Sequence, residues 1–156
     1  MGGLGMDKHM LYREMKETDI EKVISLYMEY YNNHEDGEWT YQTTYKRIHQ
    51  VYSREDSLCI VCEKNHEIIG FVMGFFEQFD DIKAYDLVEI VIAYEYQNQG
   101  YGTEFMMEIE KIVKSNGGAM IQLQAVNDDM HERFYDKLMY KNCNNLVLKS
   151  KWIAEC

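Results

Sequence analysis

A chain of 156 residues, 46% hydrophobic and 13% aromatic, has the apolar surface for one ordinary domain with a packed core, which excludes an intrinsically disordered protein. Sixteen Lys and Arg against 27 Asp and Glu give a net charge of −11, which argues against nonspecific nucleic-acid binding and against a seat on anionic membrane. No apolar run approaches the roughly 20 residues that span a bilayer, and the first six residues lack the basic start and apolar core of a signal peptide, so the expected location is the cytoplasm. Met6 stands where a myristoylation site wants Ser or Thr.

With no proline, repeat or low-complexity stretch to mark a linker, residues 1–9 read as a loose tail and 10–156 as a single domain. A strand is expected over Met10–Met15. Thr18-Asp-Ile-Glu21 has the form of a capping box, and Ile20, Val23, Ile24, Tyr27, Met28 and Tyr31 behind it recur at helical spacing. The polar stretch 32–38 is a loop, and a second helix covers about Thr40–Tyr52. Leu58–Glu63 and Glu67–Phe79 flank Lys64-Asn65-His66 as a hairpin. Ala84–Ala93 is a strand whose centre, Leu87-Val-Glu-Ile-Val-Ile92, is apolar on both faces apart from Glu89, as in a buried central strand. A helix after Gly102 carries Phe105, Met106, Ile109, Ile112 and Val113, and ends at Asn116-Gly117-Gly118. Ala119–Ala125 is a strand parallel to 84–93, as a βαβ unit requires. Asn127 or Asp128 caps a short helix running to Leu138, and Leu146–Ile153 closes the chain as a strand.

Four cysteines raise the question of metal or redox chemistry, because Cys59 and Cys62 read as C-x-x-C. Both lie in a strand-like run, where residues three apart point to opposite faces, so they cannot hold one ion. They read as buried structural thiols. The five histidines are scattered, and no metal site is expected.

The strongest chemical signal is Gln97-Asn98-Gln99-Gly100-Tyr101-Gly102-Thr103, between a buried strand and a helix. Two glycines one residue apart allow close approach of a ligand to backbone, and the amides of Gly100–Thr103 at a helix N-terminus favour an anion such as a pyrophosphate. A tight turn into a helix is the competing reading. A P-loop would need Lys where Thr103 stands, and a Rossmann fingerprint would need a small residue at Phe105.

Strand, Q-x-x-G-x-G at a helix start, strand, and then Asp128…Phe134-Tyr135-Asp-Lys-Leu-Met-Tyr140 resembles the GNAT superfamily of acyl-CoA N-acyltransferases. Gln97, Gly100 and Gly102 match the family's (R/Q)-x-x-G-x-(G/A). Tyr135 and Lys137 fit its later motif, whereas Met139 replaces a Gly and Tyr140 a Phe. Asp128 holds the place of an Asn, with Asn127 one residue early, and His131 replaces an Ala. The resemblance implies an α/β (α+β) three-layer fold: a mixed central sheet of six to seven strands, helices on both faces, and a splayed pair of parallel central strands. It implies acetyl-CoA as co-substrate, without metal. The pantetheine arm would pair with freed backbone of Ile90, Val91 and Ile92, the phosphates would sit on residues 97–103, and Asn127 or Asp128 would contact CoA.

The same resemblance implies direct transfer of the acetyl group to a primary amine, with a backbone amide near Val91 stabilising the oxyanion. Tyr135 matches the family's general acid; from residue pattern alone a packed core tyrosine serves equally. Glu89, the one charge within the apolar centre of its strand, is a candidate base; the competing reading is a buried ion pair with Lys or Arg, and a water chain is the other route for the proton. The stretch Glu29 to Trp39 and Asp80, Asp81 and Asp86 border the acceptor side in the resembled fold. A site lined by carboxylates and aromatics suits a small cationic amine. A homodimer fits the resemblance. Two other classes compete: a noncatalytic acyl-CoA-binding module, and an interaction protein using its thirteen tyrosines.

Overall fold

The order of strands across the sheet is β1-β2-β3-β4-β5 in a computed structural model that describes residues 10–155. The tail expected over 1–9 lies outside the described residues. These divide into two compact units, one ending at Gln124 and the other beginning at Ala125.

In the first unit β1 (Met10–Glu14), β2 (Ser57–Lys64), β3 (Glu67–Gln78) and β4 (Lys83–Ile92) pair antiparallel in turn. β5 (Met120–Leu123) then pairs parallel with β4, as the βαβ reading required. The β2–β3 hairpin turns on Asn65 and His66, both left-handed at φ 51° and 69°, the backbone that a two-residue primed turn needs. The sheet has five strands rather than six to seven, so the parallel pair β4–β5 lies at one edge rather than centrally. Leu146–Ile153 is the expected strand that does not form among the described residues. It is irregular, with Leu146, Val147, Leu148, Trp152 and Ile153 66–93% exposed. Its β-branched and apolar composition sets no strand without a partner to pair with.

Helix α1 (Ile20–His34) and helix α2 (Tyr41–Tyr52) cover one sheet face, where Val23, Ile24, Tyr27, Ile48 and Val51 pack on Cys59, Val61, Phe71, Met73 and Val91. Full burial of each such side chain is worth roughly 1.5–3 kcal/mol. Helix α3 (Tyr101–Ser115) buries Phe105, Met106, Ile109 and Val113. Phe105 meets Tyr12 at 5.4 Å, and Tyr12 lies across from Cys62. Cys62 therefore faces α3 while Cys59 faces α1 and α2, the opposed arrangement expected of a strand. Burial pushes the Cys59 thiol up to about 11 and Cys62 to about 12, so both are inert. Among the described residues no helix is long and apolar enough to cross a membrane.

The capping box at Thr18 and Glu21 does not form. A 3₁₀ turn, Glu17–Asp19, precedes α1; the Asp19 carboxylate accepts the Lys16 amide (2.7 Å), and Glu21 accepts from Tyr41 of α2 (2.6 Å). Asp19 is fixed there because the Arg13 guanidinium grips both its oxygens at 2.8 and 3.0 Å. The Arg13 hydrogen bonds hold the Asp19 carboxyl below its usual value despite partial burial. A depressed folded value contributes stability that is present above the unfolded value, 3.8, and is lost as pH falls from there through the lower folded value. Asp19→Asn is expected to cost about 2 kcal/mol at neutral pH, below the full figure for a buried pair because Arg13 is part exposed. In urea titrations the deficit should start to close below pH about 4, where the unfolded chain takes up the proton, and should vanish only once pH passes below the lower folded value.

The second unit holds helix α4 (Asp129–Lys137), capped by Asp128, whose carboxylate accepts the His131 amide at 2.8 Å. Residues 138–155 follow without regular structure.

Candidate active site

β4 and β5 stay paired only from Ala84–Met120 to Leu87–Leu123. β4 continues to Ile92, and its residues 89–92 have a strand partner on the β3 side alone among the described residues. The Ala93 amide donates to Ile69 (2.8 Å) on the β3 side. Antiparallel alternation then turns the backbone of Val91 toward β3 and that of Ile90 and Ile92 toward the open edge. Of these open-edge groups the Ile92 carbonyl is already taken, accepting from Gln97 Nε2 at 2.9 Å.

At the point of separation β4 carries a bulge. Met73 pairs with Glu89 but Gly74 with Leu87, which leaves Val88 unmatched. A Cβ on Gly74 would stand 2.3 Å from the Asp86 carbonyl oxygen and 2.5 Å from the Tyr85 hydroxyl, so only glycine permits this approach. The bulge shifts the alternation: Glu89 opposite Met73 and Asp86 opposite Phe75 share the face covered by α1 and α2. A lone glycine inside a strand was the available signal for it.

Glu89 is buried there as half of an ion pair, the alternative weighed against its role as a base. Its Oε2 accepts from Tyr27 hydroxyl (2.9 Å) and from Arg47 Nε (3.2 Å) and Nη2 (3.0 Å). Its Oε1 accepts from Tyr31 hydroxyl (2.7 Å). Burial, and then the neighbouring carboxylate, push both phenols well above the ordinary tyrosine value, so they stay protonated donors. Tyr27 also packs against Tyr31 (4.6 Å) and edge-on to Trp39 (4.9 Å). Asn32 fixes Trp39 through both its backbone groups at 2.8 Å. Neither Arg47 nor the two phenols stood out in the sequence. Tyr27 and Tyr31 read as part of an apolar stripe, Tyr31 also within the stretch expected at the acceptor side, and Arg47 carried no reading of its own within the second helix.

Beyond β4 the chain makes a 3₁₀ turn, Tyr94–Tyr96, pinned to the end of α1 by His34 stacking on Tyr94 at 3.7 Å. It then turns through left-handed Asn98 (φ 61°) and Gly100 (φ 88°) into α3. Gly100 is the N-cap, and no side chain caps this helix, in contrast with Asp128 on α4. The first intrahelical bond runs from Glu104 to Gly100 at 3.1 Å, so the amides of Tyr101, Gly102 and Thr103 have no partner within the helix. Turn backbone opening on an uncapped helix end collects amides that suit an anion. Gln99 Nε2 ties back to the Glu95 carbonyl (2.9 Å), and Tyr101 packs edge-on to Tyr96. The side chains of Gln97 and Gln99 thus hold the loop's shape.

The acids expected to face the acceptor fall into two sets. Glu29, Glu35, Asp36 and Glu38 are exposed at and after the end of α1, and Asp80 and Asp81 in the β3–β4 connection. Asp86 lies on the same face as Glu89, accepting from Gln122 Nε2 of β5 at 2.7 Å. Its hydrogen bond and charge raise the carboxyl of exposed Glu77.

In the second unit Asn127 is exposed and Asp128 is committed to the α4 cap and to His131 Nδ1 (2.8 Å). Tyr135 packs edge-on to Phe134 (4.9 Å) and Tyr140 (5.7 Å), and burial raises its phenol above the ordinary value.

Compared with known proteins, the chain matches the sequence profile of the acetyltransferase (GNAT) family over residues 20–139. It is 29% identical over 116 residues to the uncharacterized N-acetyltransferase CgeE of Bacillus subtilis (strain 168). That match covers 73% of this chain and 44% of CgeE, so the chain spans less than half the length of this relative. A possible acetyltransferase from Clostridium difficile 630 superposes with a TM-score of 0.79 at 14% identity, covering 93% of this chain and 99% of the other. The aminoglycoside N-acetyltransferase AAC(6')-Iy, solved with CoA, superposes at 0.72 with 11% identity, over 92% and 95% of the two chains.

Proposed function

Because this chain belongs to the acetyltransferase (GNAT) family, we propose that it moves an acetyl group from acetyl-CoA to a primary amine of a small cationic acceptor. One observation carries the reading: a strand that loses its neighbour after Leu87 runs into an uncapped helix N-terminus. The open edge of Ile90 and Ile92 suits an extended amide-bearing arm, and the loop 97–103 suits its phosphates. Asn127 remains a candidate contact to CoA, Asp128 a weaker one because its carboxylate is engaged.

Acetyl-CoA supplies the acyl group as a thioester; the chain's own residues position it and move protons. Although paired with Arg47 through Oε2, Glu89 takes the proton of the acceptor ammonium at Oε1, directly or through water, so that the nitrogen lone pair can form the new C–N bond. The Ile90 amide at the open edge is the backbone donor for the carbonyl oxygen as it gains charge. Tyr135 gives its proton to the sulfur as the C–S bond breaks, and the nitrogen returns its surplus proton to the phenolate through water as the amide forms. The noncatalytic alternative predicts binding without turnover, so release of thiol with any amine separates the two.

The cationic acceptor is supported by the carboxylates sharing the face of Glu89 and by their exposed companions after α1. AAC(6')-Iy, by its name, acts on an aminoglycoside. Attraction between acids and an ammonium weakens with salt. Across a screen of polyamines, amino sugars and neutral amines, kcat/KM for cationic acceptors should fall severalfold as ionic strength rises from about 0.01 to 1 M, where the Debye length shrinks from about 30 to 3 Å. A flat salt profile, or faster turnover of neutral and anionic acceptors, overturns the charge assignment.

A further inference from the structure

We infer that Arg47 is a positioning residue, which fixes Glu89 so that Oε1 alone is left to take the acceptor's proton; this rests on Glu89 acting as the base. A guanidinium usually meets a carboxylate fork to fork, one N–H on each oxygen. Here both Arg47 nitrogens converge on Oε2, at 3.2 and 3.0 Å, where the Tyr27 hydroxyl also donates at 2.9 Å. A carboxylate offers about four lone-pair sites, two on each oxygen. Three donors saturate Oε2, and Tyr31 takes one site on Oε1 at 2.7 Å. Among the described residues one site is left without a donor, on Oε1. A fork-to-fork pair would have closed it.

The residues around the carboxylate divide the work. Tyr27 is buried in the core between Phe71 and Trp39 and cannot shift without repacking. Arg47 reaches Glu89 from α2 with 41% of its side chain exposed, so it is the adjustable member of the set. It supplies the positive charge that a buried carboxylate requires and holds the plane of the group at the same time. Lysine could supply the charge from a single point, but not two converging donors.

The test is steady-state kinetics on Arg47→Ala, Arg47→Lys and Glu89→Gln, with melting temperatures and with guanidinium added at millimolar concentration. Misplacing the base by about 1 Å costs about 10²-fold, so kcat of Arg47→Ala should fall by that order while the KM for acetyl-CoA holds. The half-exposed site should admit free guanidinium, which restores part of kcat in Arg47→Ala and none in Glu89→Gln. Arg47→Lys should regain the melting temperature without regaining the full rate. An inactive Glu89→Gln beside a fully active Arg47→Ala overturns the inference and leaves Glu89 as the base. A fully active Glu89→Gln removes the base assignment itself. Loss of rate in Arg47→Ala that tracks melting temperature and does not respond to guanidinium reduces Arg47 to scaffolding and overturns the inference as well.

Discussion

Replacing Tyr135 by Phe should lower kcat by about 10² to 10⁴, the usual effect of losing a general acid, while leaving the fold intact. The substitution keeps the ring, and with it the edge-on contacts to Phe134 and Tyr140 at 4.9 and 5.7 Å. Only the proton donor goes. The sign of the pH dependence follows from the same side chain. A general acid must be protonated to act, and burial raises the Tyr135 phenol above its ordinary value of 10.0. The charged phenolate is the form that burial disfavours. The wild-type kcat profile should therefore hold no basic limb from Tyr135 below pH about 10. In Tyr135→Phe the residual activity should rise with leaving-group acidity, since a thiolate that needs no proton departs without help. Single-turnover measurements ensure that the step read is acyl transfer rather than product release. An unchanged single-turnover rate in the Phe variant would take Tyr135 out of the mechanism and return it to the role of packed tyrosine.

What the sequence revealed of this site was its contiguous part. Strand, turn and helix from Ala84 to Val113 follow one another along the chain, and their signals are local: a continuous apolar run, a glycine-bearing turn, then helical periodicity. The opposed thiols of Cys59 and Cys62 were legible for the same reason, because a period of two decides faces from spacing alone. The surroundings of Glu89 were not. Its partners Tyr27, Tyr31 and Arg47 lie 62, 58 and 42 residues away, and only packing of α1 and α2 on the sheet brings them together. The two expectations for Glu89 differed by whether a cation would reach it, and that is set by tertiary contact.

The departures from local pattern have specific causes. Strict alternation along β4 would have set Asp86 and Glu89 on opposite faces, and the bulge at Val88 joins them. Gly74, one strand away, carried that information in the sequence. The capping box failed because Asp19 is drawn to Arg13 and Glu21 to Tyr41, contacts that outweigh a local pattern. The strand expected at Leu146–Ile153 had the right residues, but strand propensity describes fit to a pleated neighbour and has no meaning for an unpaired segment.

Gly102→Asp should weaken acetyl-CoA binding by at least about 10²-fold, without cost to the free protein. Gly102 is the second residue of α3, and it is absent from the left-handed set formed by Asn98 and Gly100. A side chain there meets no backbone restriction, and an acid in the first turn of a helix is favourable by roughly 0.3–1 kcal/mol. The ligand-free melting temperature should therefore hold or rise slightly. The same carboxylate would compete for the amides of Tyr101–Thr103 and would repel phosphate. Like charges brought together cost several kcal/mol, and about 1.4 kcal/mol is tenfold, so the Kd should rise at least about 10²-fold. Gly102→Ala separates bulk from charge and should lose less. Gly100→Asp adds a second penalty, because at φ 88° an L-residue costs roughly 1–2 kcal/mol before any ligand arrives. Thermal shift reads all three. Acetyl-CoA at about 100 times its wild-type Kd should stabilise wild type by about 2.7 kcal/mol and Gly102→Asp by about 0.4 kcal/mol or less. An equal shift in wild type and in Gly102→Asp would mean that the phosphates do not sit on the N-terminus of α3, and the cofactor site would have to be sought elsewhere.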